Sequence, residues 1–131
     1  MKQERPSWAG TISHNDLTGL GRSVFMAVHQ MEHELSGMDE KIAHGAGLSA
    51  LWASWARYVY ENNVSRFAQY AVNVWNIEMD FEHPEKTALA GIKATEDYFK
   101  SLNMPTSLRE LNVDPASFEE LAEKCTNHGT R

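Results

Sequence analysis

Cysteine is almost missing from this chain: Cys125 stands alone among 131 residues, so no internal disulfide can form. That usage suits a reducing compartment, and a cytoplasmic protein is expected. Positive charge is scarce as well. Twelve Lys and Arg face eighteen Asp and Glu, for a formal net charge of −6 and a pI near 5.4. This is the wrong sign for a surface that neutralises phosphates or binds anionic lipid, so neither nucleic acid nor a membrane is expected as a partner. Long apolar runs are missing too. The longest weakly charged stretch, Ile42 to Ala56, contains His44 and several Gly and Ser, and falls short of the roughly 20 apolar residues that cross a bilayer. The opening Met1-Lys2-Gln3-Glu4-Arg5-Pro6 is charged, without the apolar stretch of a secretory signal behind it. There is no Asn-Gly or Asp-Gly hairpin signal, no sustained period-two alternation and no internal repeat. Gly19-Leu20-Gly21 alone is too short for a dinucleotide-binding loop.

What is present is apolar material at helical spacing. Hydrophobic residues make up 42% of the chain, with four Trp, and the length matches one compact domain of about 100–150 residues. The expectation is a single all-α domain over residues 1–131, a multi-helix bundle. A first helix is expected from about Ser7 to Thr18, ending at Gly19 and Gly21. A second starts near Ser23 as N-cap, carries Val28, His29, Glu32, His33 and Leu35, and stops before Gly37. A polar connector, Met38 to Lys41, leads to a third helix in which Leu48, Leu51, Trp52, Trp55 and Val59 define one buried stripe. A fourth follows Asn62-Asn63 with Val64, Phe67, Ala71, Val74 and Trp75, and a fifth runs from His83-Pro84-Glu85 to Asn103, stopped by Met104-Pro105-Thr106. Asp114 as N-cap and Pro115 at N1 open the last, with Phe118, Leu121, Ala122 and Cys125 on its stripe and Asn127-His128-Gly129 at its end.

His29 and His33 are four apart, so on a helix both rings leave one face. His44 follows a connector long enough to fold back, and neutral imidazole suits Zn²⁺ or Fe²⁺. The alternative is that His29 and His33 are ordinary half-buried histidines with hydrogen-bonded rings. Glu32 and Glu34 flank His33 and, as immediate neighbours on a helix, are expected to be solvated charges. His83 and His128 are expected in surface or capping roles, Cys125 as a small core residue, and Trp52 and Trp55 as core packing rather than a ligand box.

The block His29-Gln30-Met31-Glu32-His33-Glu34-Leu35-Ser36-Gly37, followed by Ala43-His44-Gly45-Ala46-Gly47-Leu48, resembles the helical C-terminal domain of iron-containing alcohol dehydrogenases, and within them the NADPH-dependent butanol dehydrogenase branch. Trp8-Ala9-Gly10, the segment Gly91 to Phe99 and the turn Asn103-Met104-Pro105-Thr106 extend the resemblance over nearly the whole chain. It implies a divalent iron, sometimes zinc, held by an Asp and three His in a cleft against an N-terminal dinucleotide-binding domain. Two of those histidines correspond to His29 and His44. The third histidine here, His33, corresponds to a residue beside the nicotinamide and substrate, implied to be catalytic and cofactor-contacting rather than a ligand. The resemblance further implies NADPH, a small alcohol or aldehyde as substrate, and a homo-oligomer or a separately supplied N-terminal half as partner. The family's Asp, its other His ligand and its phosphate-binding loop find no counterpart in these 131 residues. A fragment of the C-terminal domain, truncated at both ends, is therefore expected, with little or no dehydrogenase activity by itself. Its non-enzymatic alternative is a helical remnant that self-associates or binds metal weakly.

Overall fold

The computed structural model describes residues 4–15, 17, 19 and 26–127, and among them every regular element is helical. Helices α1 (Glu4–His14), α2 (Ala27–Met38), α3 (His44–Val59), α4 (Val64–Trp75), α5 (Pro84–Ser101) and α6 (Phe118–Cys125) follow one another. One 3-10 turn, Tyr60–Asn63, joins α3 to α4, and another, Pro115–Ser117, precedes α6. The tightest pair is α4 with α5; α3 packs on both α2 and α5, and α6 lies against α2.

The turn chemistry explains where the helices stop. At the end of α4, Asn76 takes the left-handed conformation (φ 54°) and the Ile77 N–H reaches back to the Ala71 carbonyl at 3.3 Å. At the end of α5, Asn103 (φ 56°) does the same, and the Met104 N–H meets the Phe99 carbonyl at 2.9 Å. Asn tolerates the left-handed region because its short polar side chain bonds locally, and the return bond satisfies carbonyls that the helix leaves unpaired. Asp114 caps as expected, its carboxylate accepting the Ala116 N–H at 3.0 Å, but it opens the 3-10 turn and α6 begins only at Phe118.

Other boundaries and faces differ from expectation. Helix α1 starts three residues before Ser7 and ends at His14. The proposed cap Ser23 and the end at Thr18 lie outside the described residues, as does His128. Met26 precedes α2 without a side-chain cap, and α2 runs through Gly37 to Met38, so that glycine does not break it. The stripe on α3 is the larger correction. Leu48, Leu51, Trp52, Trp55 and Val59 are only half-buried, whereas Gly47, Ser49, Ala50, Ala53 and Ala56 are buried. Small residues line the contact because they let helix axes approach, and the large rings are displaced to its flanks.

The same rule governs α4 and α5. Ala68, Ala71, Ala88 and Ile92 are wholly buried, and Gly91 lies directly on Ala71. Beside this contact the Thr95 hydroxyl gives its one hydrogen to the Gly91 carbonyl (2.9 Å), so its lone pairs accept from the Tyr70 O–H (2.6 Å) and the Trp75 Nε1–H (2.9 Å). Arg57 of α3 donates to Glu96 of α5, which also accepts from Lys100 at 2.9 Å. Two apolar clusters result: Leu35, Ile42 and Val113 with flanking leucines, and Ala53, Ala56 and Ile92 with Trp52, Trp55 and Phe67 against them.

A Cβ added at Gly91 would stand 2.5 Å from the Ala71 Cβ and 2.9 Å from its Cα, whereas one at Gly37 would meet nothing within 4 Å. Gly91→Ala is therefore expected to lower stability by about 1–3 kcal/mol through overpacking. Gly37→Ala should raise it by about 0.5–1 kcal/mol through reduced backbone entropy. Urea denaturation of the two variants reads both signs.

Candidate metal centre

Helix α2 presents His29 and His33 on successive turns, with Glu32 between them. The connector then folds back tightly: the Asp39 carboxylate accepts the Lys41 N–H (3.0 Å), the Asp39 carbonyl accepts the Ile42 N–H (3.0 Å), and Ile42 is buried against Leu35. This delivers His44, the first residue of α3, to the histidine face of α2. The ring centroids of His29 and His44 are 5.3 Å apart, those of His33 and His44 5.6 Å, and those of His29 and His33 6.4 Å.

Those separations decide which rings can share an ion. An imidazole bound through one nitrogen at about 2.0–2.1 Å has its centroid roughly 3.2 Å from the metal, so two rings at a tetrahedral angle stand about 5.2 Å apart. His44 with His29 fits that value, and His44 with His33 nearly so. His29 with His33 would need an almost linear arrangement. Thus spacing by four on one helix does not by itself make a ligand pair; His44 can be joined by one of the two. One donor atom each from Glu32, His33 and His44 also lies within a 4.8 Å group, a set that shares His44 with the pair the resemblance implies. The donor chemistry, imidazole nitrogen with a carboxylate nearby, suits Fe²⁺ or Zn²⁺.

The electrostatics of the three rings differ. Burial first, then the neighbouring His44 and His33 imidazoles, hold the His29 pKa below its ordinary 6.5. A proton on His29 is thereby disfavoured, and its lone pair is open at neutral pH. His29 is half-buried, whereas His33 and His44 are exposed. His29 also borders an open cleft of about 680 Å³ whose walls are Met26, Leu48, Trp52, Trp55, Phe99 and Met104. Trp52 and Trp55 therefore serve two surfaces, packing on the core with one and lining this cleft with the other, where sequence alone suggests core packing only.

Glu32 is the clearest correction. Expected as a solvated charge, it is 0% exposed. Its Oε2 accepts from His44 Nδ1 and its Oε1 from the Ser36 hydroxyl one turn along α2. Gly47 makes the room: a Cβ there would stand 2.6 Å from Glu32 Cγ and 2.9 Å from Oε1. The sequence signal was the Glu32 and Ser36 spacing of four with a glycine three residues after His44. Glu34 is half-buried, Cys125 is half-buried beside Met31 and Leu35, and His83 is exposed with Nδ1 3.4 Å from the Glu85 carboxylate. None of these three joins the cluster.

The family described as "Fe-containing alcohol dehydrogenase family, C-terminal" matches residues 7–130. The chain belongs to the iron-containing alcohol dehydrogenase family. Among curated members of this family, NADH-dependent butanol dehydrogenase A of Clostridium acetobutylicum is 34% identical over 122 residues, 92% of this chain and 31% of that protein. NADPH-dependent aldehyde reductase YqhD of Escherichia coli is 32% identical over 125 residues, 93% of this chain and 31% of its own length. The crystal structure of NADH-dependent butanol dehydrogenase A from Thermotoga maritima superposes with a TM-score of 0.82 at 30% identity, covering 91% of this chain and 29% of that one. The chain thus spans about a third of the length of the relatives it matches. The all-α expectation and its family resemblance agree with these matches. Among the described residues no helix is long and apolar enough to cross a membrane.

Removing the Ser36 hydroxyl leaves one oxygen of a buried carboxylate without a donor. Ser36→Ala should therefore cost about 1–3 kcal/mol of stability, more than an ordinary half-buried serine. Thermal denaturation of Ser36→Ala beside Ser54→Ala, an exposed position on α3, measures the difference.

Proposed function

We propose that the chain is the metal-binding helical part of an NAD(P)H-dependent alcohol dehydrogenase interconverting small alcohols and aldehydes. His29 and His44 hold Fe²⁺, or Zn²⁺ in its place, and His33 lies beside nicotinamide and substrate. The observation that carries this reading is the convergence of three imidazoles from two helices, one of which, His29, borders an apolar cleft. His29 is preferred to His33 as partner of His44 because its ring separation fits a shared ion best. A bound divalent ion supplies Lewis acidity that polarises an aldehyde oxygen or stabilises an alkoxide.

The rest is done by side chains. In this reading His33, exposed one turn beyond His29, passes a proton between substrate oxygen and solvent. Trp52, Trp55, Phe99 and Leu48 give the hydrocarbon part of a short alcohol an apolar wall and keep water from that side. Two imidazoles leave a catalytic ion short of protein ligands, so the reading requires an Asp, another His and a dinucleotide-binding surface from outside residues 1–131. The names of the relatives carry both NADH and NADPH, and the reading takes either. The single cysteine goes with a cytoplasmic setting.

A second reading, a non-enzymatic module that self-associates, is favoured by one observation: the cleft is open and almost wholly apolar. Anaerobic calorimetry separates the two. On the first reading the protein binds Fe²⁺ with micromolar affinity, His29→Ala and His44→Ala each abolish binding, and His33→Ala keeps it. With the remainder of the enzyme supplied, His33→Ala should then lower turnover of a short aldehyde. Binding indifferent to both His29→Ala and His44→Ala, together with a concentration-dependent dimer in sedimentation, would establish the second.

A further inference from the structure

Glu32 is a buried carboxylate that, among the described residues, pairs with no Lys or Arg. Among the described residues the one ion-pair partner of Glu32 is His44, and the group has no exposure to water. Holding a carboxylate there costs desolvation energy that a single histidine contact and one hydroxyl do not offset as a stability device. Three features nevertheless serve that one side chain. Ser36 donates to one oxygen, His44 Nδ1 faces the other, and position 47 is a glycine whose missing Cβ is the space the carboxylate occupies.

We propose that Glu32 is the positioning residue of the metal centre, its carboxylate accepting the Nδ1–H of His44 and so fixing the tautomer and ring orientation that present Nε2 to the ion. The proposal rests on His44 being a ligand. A carboxylate accepts and cannot donate, so the ring nitrogen facing it carries the hydrogen. The lone pair is then left on Nε2, on the far side of the ring from Glu32. Metal-bound histidines are commonly held in this way, and a carboxylate partner also raises the basicity of the ligating nitrogen.

Glu32 itself lies close enough to His33 and His44 to be considered a ligand, but both its oxygens are engaged. Turning either toward an ion would strip Ser36 and His44 Nδ1 of their partner together. The carboxylate is also beneath the surface, whereas the rings it would join are exposed. Orientation of His44, not coordination, is the role these contacts allow.

The test uses Co²⁺ as a spectroscopic probe, on the wild type and on Glu32→Ala, Glu32→Gln and His44→Ala, with circular dichroism to show that each variant is folded. Glu32→Ala should weaken Co²⁺ binding by about 10–100-fold without abolishing it, and Glu32→Gln by less, because an amide oxygen still accepts from Nδ1–H. Imidazole ¹⁵N spectra should show His44 as the Nδ1–H tautomer in the wild type and in Glu32→Gln, and as a mixture in Glu32→Ala. A merely structural carboxylate would leave that tautomer ratio unchanged. Wild-type binding that His44→Ala abolishes and neither Glu32 variant weakens would overturn the proposal alone. Failure of the wild type to bind Co²⁺ would overturn the metal reading and the proposal together. If Glu32→Ala does not fold, the Glu32→Gln affinity and tautomer still decide.

Discussion

A carboxylate removed from water must have its lone pairs filled by the protein, and Glu32 meets that demand by joining two helices. One oxygen is satisfied within α2 by Ser36 and the other across the interface by His44. The interface must therefore be close enough for the carboxylate to bridge it, which is why a glycine faces Glu32 from α3. The buried Ile42 in the connector, packed on Leu35, fixes the angle at which α3 returns. The histidine cluster is a product of this arrangement: the three rings meet because α2 and α3 are tied at the residue lying between His29 and His33.

Elsewhere the molecule solves a simpler problem. Helices α4 and α5 meet chiefly through small apolar residues, Ala68, Ala71, Ala88 and Gly91, with Ile92 beside them. Dispersion between small side chains replaces hydrogen bonding, and polar atoms return only at the edge, where Thr95 serves as acceptor for two donors and donor to one carbonyl. One protein thus holds two helix pairs by different means. The pair with the histidines is joined through a buried carboxylate, and the other packs mainly through small apolar side chains.

Much of this was legible in the sequence. Periodicity located five of the six helices within a few residues, because Asn-Asn, His-Pro and Met-Pro-Thr punctuation coincides with real chain reversals. The pattern of histidines pointed to the cluster, and the block from His29 to Leu48 pointed to the family. What was not legible depends on packing distance. Periodicity identifies which face of α3 is inward but not that its alanines would hold the centre and its tryptophans the flank. Adjacency to His33 suggested that Glu32 was solvated. Immediate neighbours do diverge on a helix, but the direction in which Glu32 diverges is the one that α3 covers. Only the returning helix, with its glycine, turns an apparent surface charge into a buried one.

Helix α5 is 18 residues long, roughly 27 Å from end to end. Along α4 it is seated on Gly91 without slack, and past its far end the Asn103 turn sets Met104 into the cleft wall beside Gly45, the residue that follows His44. The helix thus packs on α4 through its middle and leads, past its C-terminal end, to the side of the histidine cluster. The wall of the cleft at Met104 is therefore joined through one continuous helix to the alanines of the α4 contact, as well as to the aromatic rings beside it.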